Sequence, residues 1–115
     1  MIQRFETTGR LSKALTAGQF VFLSGLTAKD KSGDVRQQTL DILQQIDGYL
    51  AQAGSDKSHL VSVNIWLTDI STFAEMNAAW ESWADSSALP ARATVESALA
   101  GKGALVEIQA QAILA

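Results

Sequence analysis

One stretch, Val35 to Ala53, constrains the fold of this chain more than any other. Apolar residues recur there at 35, 42, 43, 46, 50 and 53, Thr39 and Tyr49 fill the gaps, and the period is close to 3.6. That spacing is an amphipathic helix. Gly54 stands where a left-handed residue would close it, ahead of the polar turn Ser55-Asp56-Lys57-Ser58-His59. A helix with one apolar stripe needs an apolar layer to lie against, and the flanking segments read as strands that supply it.

From Ile2 to Gly25, short runs of β-branched and aromatic residues are broken at Gly9 and at Ala17-Gly18-Gln19. Phe20-Val21-Phe22-Leu23 is continuously apolar, which predicts a strand inside a sheet, buried on both faces. Lys29 to Asp34 is a polar, turn-rich loop to which no function is assigned. In Leu60 to Thr68 the odd positions Val61, Val63, Ile65 and Leu67 are apolar and alternate with Ser62 and Asn64, the mark of a half-buried strand. Trp66 breaks the alternation and suits an edge or an interface. Thr72-x-x-Glu75 has capping-box spacing, and a second helix is expected from there to about Asp85. Phe73, Met76, Trp80 and Trp83 share its face, as core or as a ligand cage, with core favoured by the helical spacing. Pro90 ends the connection, and Ala91 to Val95 and Leu105 to Leu114 form two last strands around a Gly101-Lys102-Gly103 turn.

The element order is therefore β-β-β-α-β-α-β-β, an α+β fold with one mixed sheet and two helices on one face, in a single domain over residues 1–115. Two helices cover only one side of a sheet with continuous apolar strands. The other side is expected to meet a further subunit.

Composition narrows the function. The chain is 47% hydrophobic and 18% charged, a globular balance. Its formal net charge of −3 and pI near 4.9 repel polyanions, so nucleic acid is not expected as a main partner. There is no cysteine, which excludes disulfides, thiolate metal sites and a cysteine nucleophile. His59 is the single histidine, too few for a metal site built on imidazoles, and its role is read as structural or solvated. Met1 to Arg10 lacks the apolar core of a secretion signal and no stretch is long enough to span a bilayer, so a cytoplasmic protein without membrane partners is expected.

Chemistry concentrates near the C-terminus. Alternation sends Arg92, Thr94 and Glu96 to one face of their strand, while Glu107, Gln109 and Gln111 oppose the apolar even positions of the last strand. If the 101–103 turn makes these two strands an antiparallel pair, Thr94 lies near Glu107 and Arg92 near Gln109. Two readings of that patch stand side by side. One is a surface salt bridge between Arg92 and a glutamate, contributing ~0–1 kcal/mol if exposed. The other is a guanidinium that grips the carboxylate of a small metabolite.

Phe22-Leu23-Ser24-Gly25, the Gln38 to Gly54 helix, Thr68-Asp69-Ile70 with Asn77, Pro90-Ala91-Arg92 and Val106-Glu107-Ile108 together resemble the RidA (YjgF) family of enamine/imine deaminases over nearly the whole chain. The resemblance implies a chorismate-mutase-like fold assembled as a homotrimer, sheets inward, with a ligand pocket at each subunit interface. It also implies hydrolysis of 2-imino or 2-enamino acids to 2-keto acids and ammonia without metal or cofactor. Position by position, Arg92 matches the arginine that binds the substrate carboxylate, Glu107 the acid that positions water, and Ser24 a pocket serine. Leu11 stands where deaminases of the family carry a pocket tyrosine, with Arg10 beside it, and Thr94 where they often have cysteine. The loss of the tyrosine keeps a second function open, non-catalytic binding of keto acids in the same pocket.

Overall fold

The computed structural model describes residues 1–115. Helix α1 spans Val35–Ala53. Asp34 starts it: the Asp34 carboxylate accepts the Gln37 N–H while the Gln37 side-chain oxygen accepts the Asp34 N–H, both at 2.9 Å, a reciprocal cap that sequence reading passed over. Gly54 ends it at φ 92°, where a side chain would be strained. Ile42, Leu43, Ile46 and Leu50 are fully buried along the inner stripe. They meet Met76 of helix α2 (Phe73–Trp83) and Val21, Val63, Ile65, Leu67, Val106 and Ile108 of the sheet in one core.

The strands are β1 (Ile2–Thr7), β2 (Ser12–Ala17), β3 (Phe20–Leu23), the short β4 (Leu26–Thr27), β5 (Leu60–Leu67), β6 (Ala91–Glu96) and β7 (Val106–Ile113). They form a mixed sheet ordered β1-β2-β3-β7-β5-β6, with β4 also paired to β7. Only β5 and β6 run parallel, joined through α2 as a strand-helix-strand crossover. No helix is long and apolar enough to cross a membrane.

Four expectations need correction. The strands holding Arg92 and Glu107 are not an antiparallel pair: the crossover through α2 delivers β6 beside β5, so β7 takes the other side of β5. Within one chain β3 is buried on one face only, since Val21 and Leu23 face the helices while Phe20 is 51% exposed on the far side. Val61 does not join the buried row of β5, because a register shift between Leu60 and Ser62 turns Leu60 inward instead. Thr72 makes no side-chain cap to α2: its hydroxyl donates to the Asp69 carbonyl at 2.6 Å.

Two polar devices shape the loops. Asp30-x-Ser32, Asp56-x-Ser58, Asp69-x-Ser71 and Asp85-x-Ser87 repeat one turn, in which the carboxylate accepts both the backbone N–H and the hydroxyl of the serine two residues on. Buried Gln38 donates to the carbonyls of Lys31, Gly33 and Gly103 and accepts the Leu105 N–H at 2.9 Å, tying the loop before α1 to the loop before β7.

Candidate functional site

The parallel register places Arg92 beside Val63 and Thr94 beside Ile65, residues that face the helices. Arg92 and Thr94 therefore point from edge strand β6 toward α2, not away from it. The Arg92 guanidinium donates through Nη2 to Asn77 Oδ1 at 2.7 Å and touches Met76 Sδ through Nη1 at 4.0 Å. Its central carbon lies 5.3 Å from the Trp80 ring and 5.9 Å from the Phe73 ring. A guanidinium carries five N–H donors, and only Asn77 takes one of these with a strong acceptor. Most of the fork is uncommitted.

The group opens into a crevice of about 410 Å³ lined by Asn77, Trp80, Glu81, Leu89, Pro90 and Arg92 among others. Burial pushes Arg92 below its ordinary value, and the negative charge of Glu81 opposes that shift. Glu81 forms no ion pair with it, and the one contact of an acid with a basic side chain at that range is His59 Nδ1 with Asp56 at 2.9 Å. The salt-bridge reading of Arg92 therefore fails within the chain. Trp80, expected as core, is both: it is nearly buried and it forms a wall of the crevice. Asn77, Trp80 and Glu81 are the site residues that spacing could have found, because positions i, i+3 and i+4 share a helix face.

Glu107 lies elsewhere. It alternates with inward-facing Val106 and Ile108, so it projects from the face away from the helices. Ser24 and Gly25 interrupt the chain between β3 and β4, both of which pair with β7, and a Cβ on Gly25 would collide with the Glu107 carboxylate. The glycine is thus what allows the acid to lie against this break. Gln109 Nε2 donates to the Leu23 carbonyl at 3.4 Å across the same gap. The hydroxyls of Ser24 and Thr94 are both buried without a hydrogen-bond partner. Buried hydroxyls left unspent are uncommon and suit groups reserved for another molecule.

Leu11 sits in the β1–β2 connection, 44% exposed, held by Thr8, whose N–H donates to the Leu11 carbonyl at 2.7 Å. Between β2, which follows Leu11 directly, and β6 lie three strands, a span of roughly 19 Å at about 4.8 Å per strand. One chain thus puts Arg92 and Thr94 on the helix side of β6, and Glu107 on the far side of β7 against the Ser24-Gly25 break. It does not bring these two groups to each other, nor Leu11 to Arg92.

Comparison with known proteins identifies the family. A family model described as endoribonuclease L-PSP matches residues 1–114. A YjgF-family protein from Neisseria meningitidis is 41% identical and superimposes with a TM-score of 0.97, covering 100% of this chain and 96% of that one. The chain belongs to the RidA/YjgF family. A RutC family protein of Haemophilus ducreyi is 35% identical over 108 residues, 94% of this chain and 92% of its own length. A YjgF-family structure from Mycobacterium tuberculosis, 30% identical, gives a TM-score of 0.89 over 99% of this chain and 100% of its own. The RidA/YjgF match spans every candidate residue from Leu11 to Glu107.

Proposed function

We propose that the protein hydrolyses 2-imino and 2-enamino acids to 2-keto acids and ammonia. The carrying observation is the half-buried Arg92, held in a crevice with most of its donors free. A planar fork of N–H groups matches a carboxylate bidentately, and each charge-assisted hydrogen bond contributes roughly 1.5–3 kcal/mol. With the carboxylate fixed there, the adjacent imine carbon is attacked by water. Glu107 accepts a proton from that water as the C–O bond forms. Glu107 passes that proton to the imine nitrogen, giving a carbinolamine. The hydroxyl proton then moves to the amine as the C–N bond breaks, so ammonia leaves, the keto group forms and Glu107 is again a carboxylate.

Arg92 and Glu107 lie on opposite sheet faces, so the proposal includes a homotrimer in which the acid of one copy approaches the crevice of the next. The apolar far face supports such packing. Ser24 and the Thr94 strand would complete the water-binding wall. The test is to generate 2-iminopropanoate or a branched imino acid in place and follow its disappearance. The protein should accelerate hydrolysis above buffer, and Arg92→Ala should lower kcat/KM by about 10- to 100-fold or more. No acceleration across several imino acids contradicts the enzyme reading.

Leu11 favours a second reading, keto-acid binding without turnover, because it supplies neither the hydroxyl nor the aromatic face of a tyrosine. Calorimetric binding of a keto acid without imine hydrolysis would select it. RNA cleavage, the activity in the name of the matching family model, is opposed by the net charge of −3 and by a lone histidine committed to Asp56.

A further inference from the structure

Arg92 and Glu81 share one crevice, yet they do not pair. If they did, the carboxylate of Glu81 would occupy the donors that a substrate needs. What holds the cation away from the anion is visible in α2. Phe73, Asn77, Trp80 and Glu81 fall at i, i+4, i+7 and i+8, so all four line one side of the helix. The guanidinium is drawn toward the Asn77 oxygen at 2.7 Å and lies over the Trp80 ring at 5.3 Å. An aromatic face attracts a cation through its π electrons and takes up no N–H group. It can therefore fix a guanidinium and leave the fork open, which a carboxylate partner cannot do.

Trp80 is itself braced. Its ring packs on Trp83 at 5.5 Å and 57° between planes. The Trp83 indole N–H donates to Asp47 of α1 at 2.8 Å, Lys57 lies over the Trp83 ring at 5.2 Å, and the Lys57 ammonium donates to the Trp83 carbonyl. Both helices thus back the ring that meets Arg92. Phe73, 41% exposed one turn before Asn77, adds a looser contact.

We propose that Trp80 is a positioning residue that holds the Arg92 guanidinium on its ring face, clear of an ion pair with Glu81 and open to the substrate carboxylate. This rests on the reading that Arg92 binds that carboxylate. Without the ring, the guanidinium swings onto Glu81 and the site closes on itself.

The experiment is calorimetric titration of the full chain with 2-oxobutanoate, alongside thermal melts. Trp80→Leu should weaken binding roughly tenfold, the scale of a partly desolvated cation–π contact. Adding Glu81→Gln to that variant should restore most of the loss, since the competing anion is gone. Glu81→Gln alone should tighten binding by up to about threefold through reduced repulsion of the anionic ligand. Melting temperature should fall in both Trp80→Leu proteins alike, which separates positioning from packing. Trp80→Phe, a milder change that keeps a ring, should lose about two- to threefold but cost nothing when made in the Glu81→Gln protein, since an effect through Glu81 is absent there, and it serves if Trp80→Leu does not fold. Weakening that Glu81→Gln fails to restore overturns the inference, as does full-strength binding by Trp80→Leu. Undiminished binding by Arg92→Ala instead removes the reading beneath it.

Discussion

The two faces of the sheet are made by the same strands and are finished differently. On the helix side, Val21, Val63, Ile65, Leu67, Val106 and Ile108 are sealed under α1 and α2. On the far side, Leu15 pairs with Phe22 and Phe20 with Ile113, an apolar row that this chain leaves partly open to solvent. The candidate chemistry divides the same way, with Arg92 and Thr94 under α2 and Glu107 on the far face. One face makes the fold, and the other is the face on which the proposed neighbour would pack. A reaction that requires both the guanidinium and the acid is then a property of an assembly.

The comparison can be broken first on the open face. Phe22→Asp places an uncompensated charge where the proposed neighbour packs, a cost of several kcal/mol at the interface. It should leave sedimentation dominated by single chains and lower imine hydrolysis by about 100-fold or more. Unchanged sedimentation would contradict the account of this face. The contrast sharpens with paired truncations read by chemical denaturation in dilute solution. Ile46→Ala, at a fully buried position of α1, should cost about 2–5 kcal/mol, whereas Ile113→Ala, on the open face, should cost under about 1 kcal/mol. Equal losses would mean that the open face already packs within one chain.

The smallest effect concerns the loops. The Ser58 hydroxyl first, and then His59, hold the Asp56 carboxyl down from 3.8 to about 2. Asp30, Asp69 and Asp85 are likewise lowered, chiefly by their serines. A carboxyl lowered by folding stabilises the native state above its unfolded value and loses that contribution as pH falls through the folded one. Stability carried by Asp56 should therefore be present above pH 3.8 and fade toward about pH 2. Melts of Asp56→Asn should show a shallower decline across that window, and identical slopes would contradict the assignment.

Much of this was legible in the sequence, and the reasons are physical. A 19-residue stripe with a glycine stop fixed the bounds of α1, and strict alternation fixed the faces of β6 and β7. Alternation says which residues share a side of a strand but not which strand lies beside it. That is why Arg92 and Glu107 were expected in one patch, although a strand, a helix and a strand in succession already favour the parallel crossover. Helical spacing alone reads Trp80 as core, because burial and cation contact demand the same helical position. Gln38 and the Asp-x-Ser turns escaped because their partners come from loops, which carry no period. Family resemblance alone supplies Ser24 and Leu11, which spacing does not connect to Arg92, and it adds a role for Glu107, which alternation had already placed in the patch.

The most direct test of the Arg92 assignment is a crystal structure of the assembled protein with 2-oxobutanoate bound. The account predicts the ligand carboxylate bidentate on the Arg92 guanidinium over the Trp80 ring, with the Glu107 carboxylate of an adjacent copy facing the keto carbon. A ligand bound elsewhere, with Arg92 turned into solvent or paired to Glu81, would contradict it.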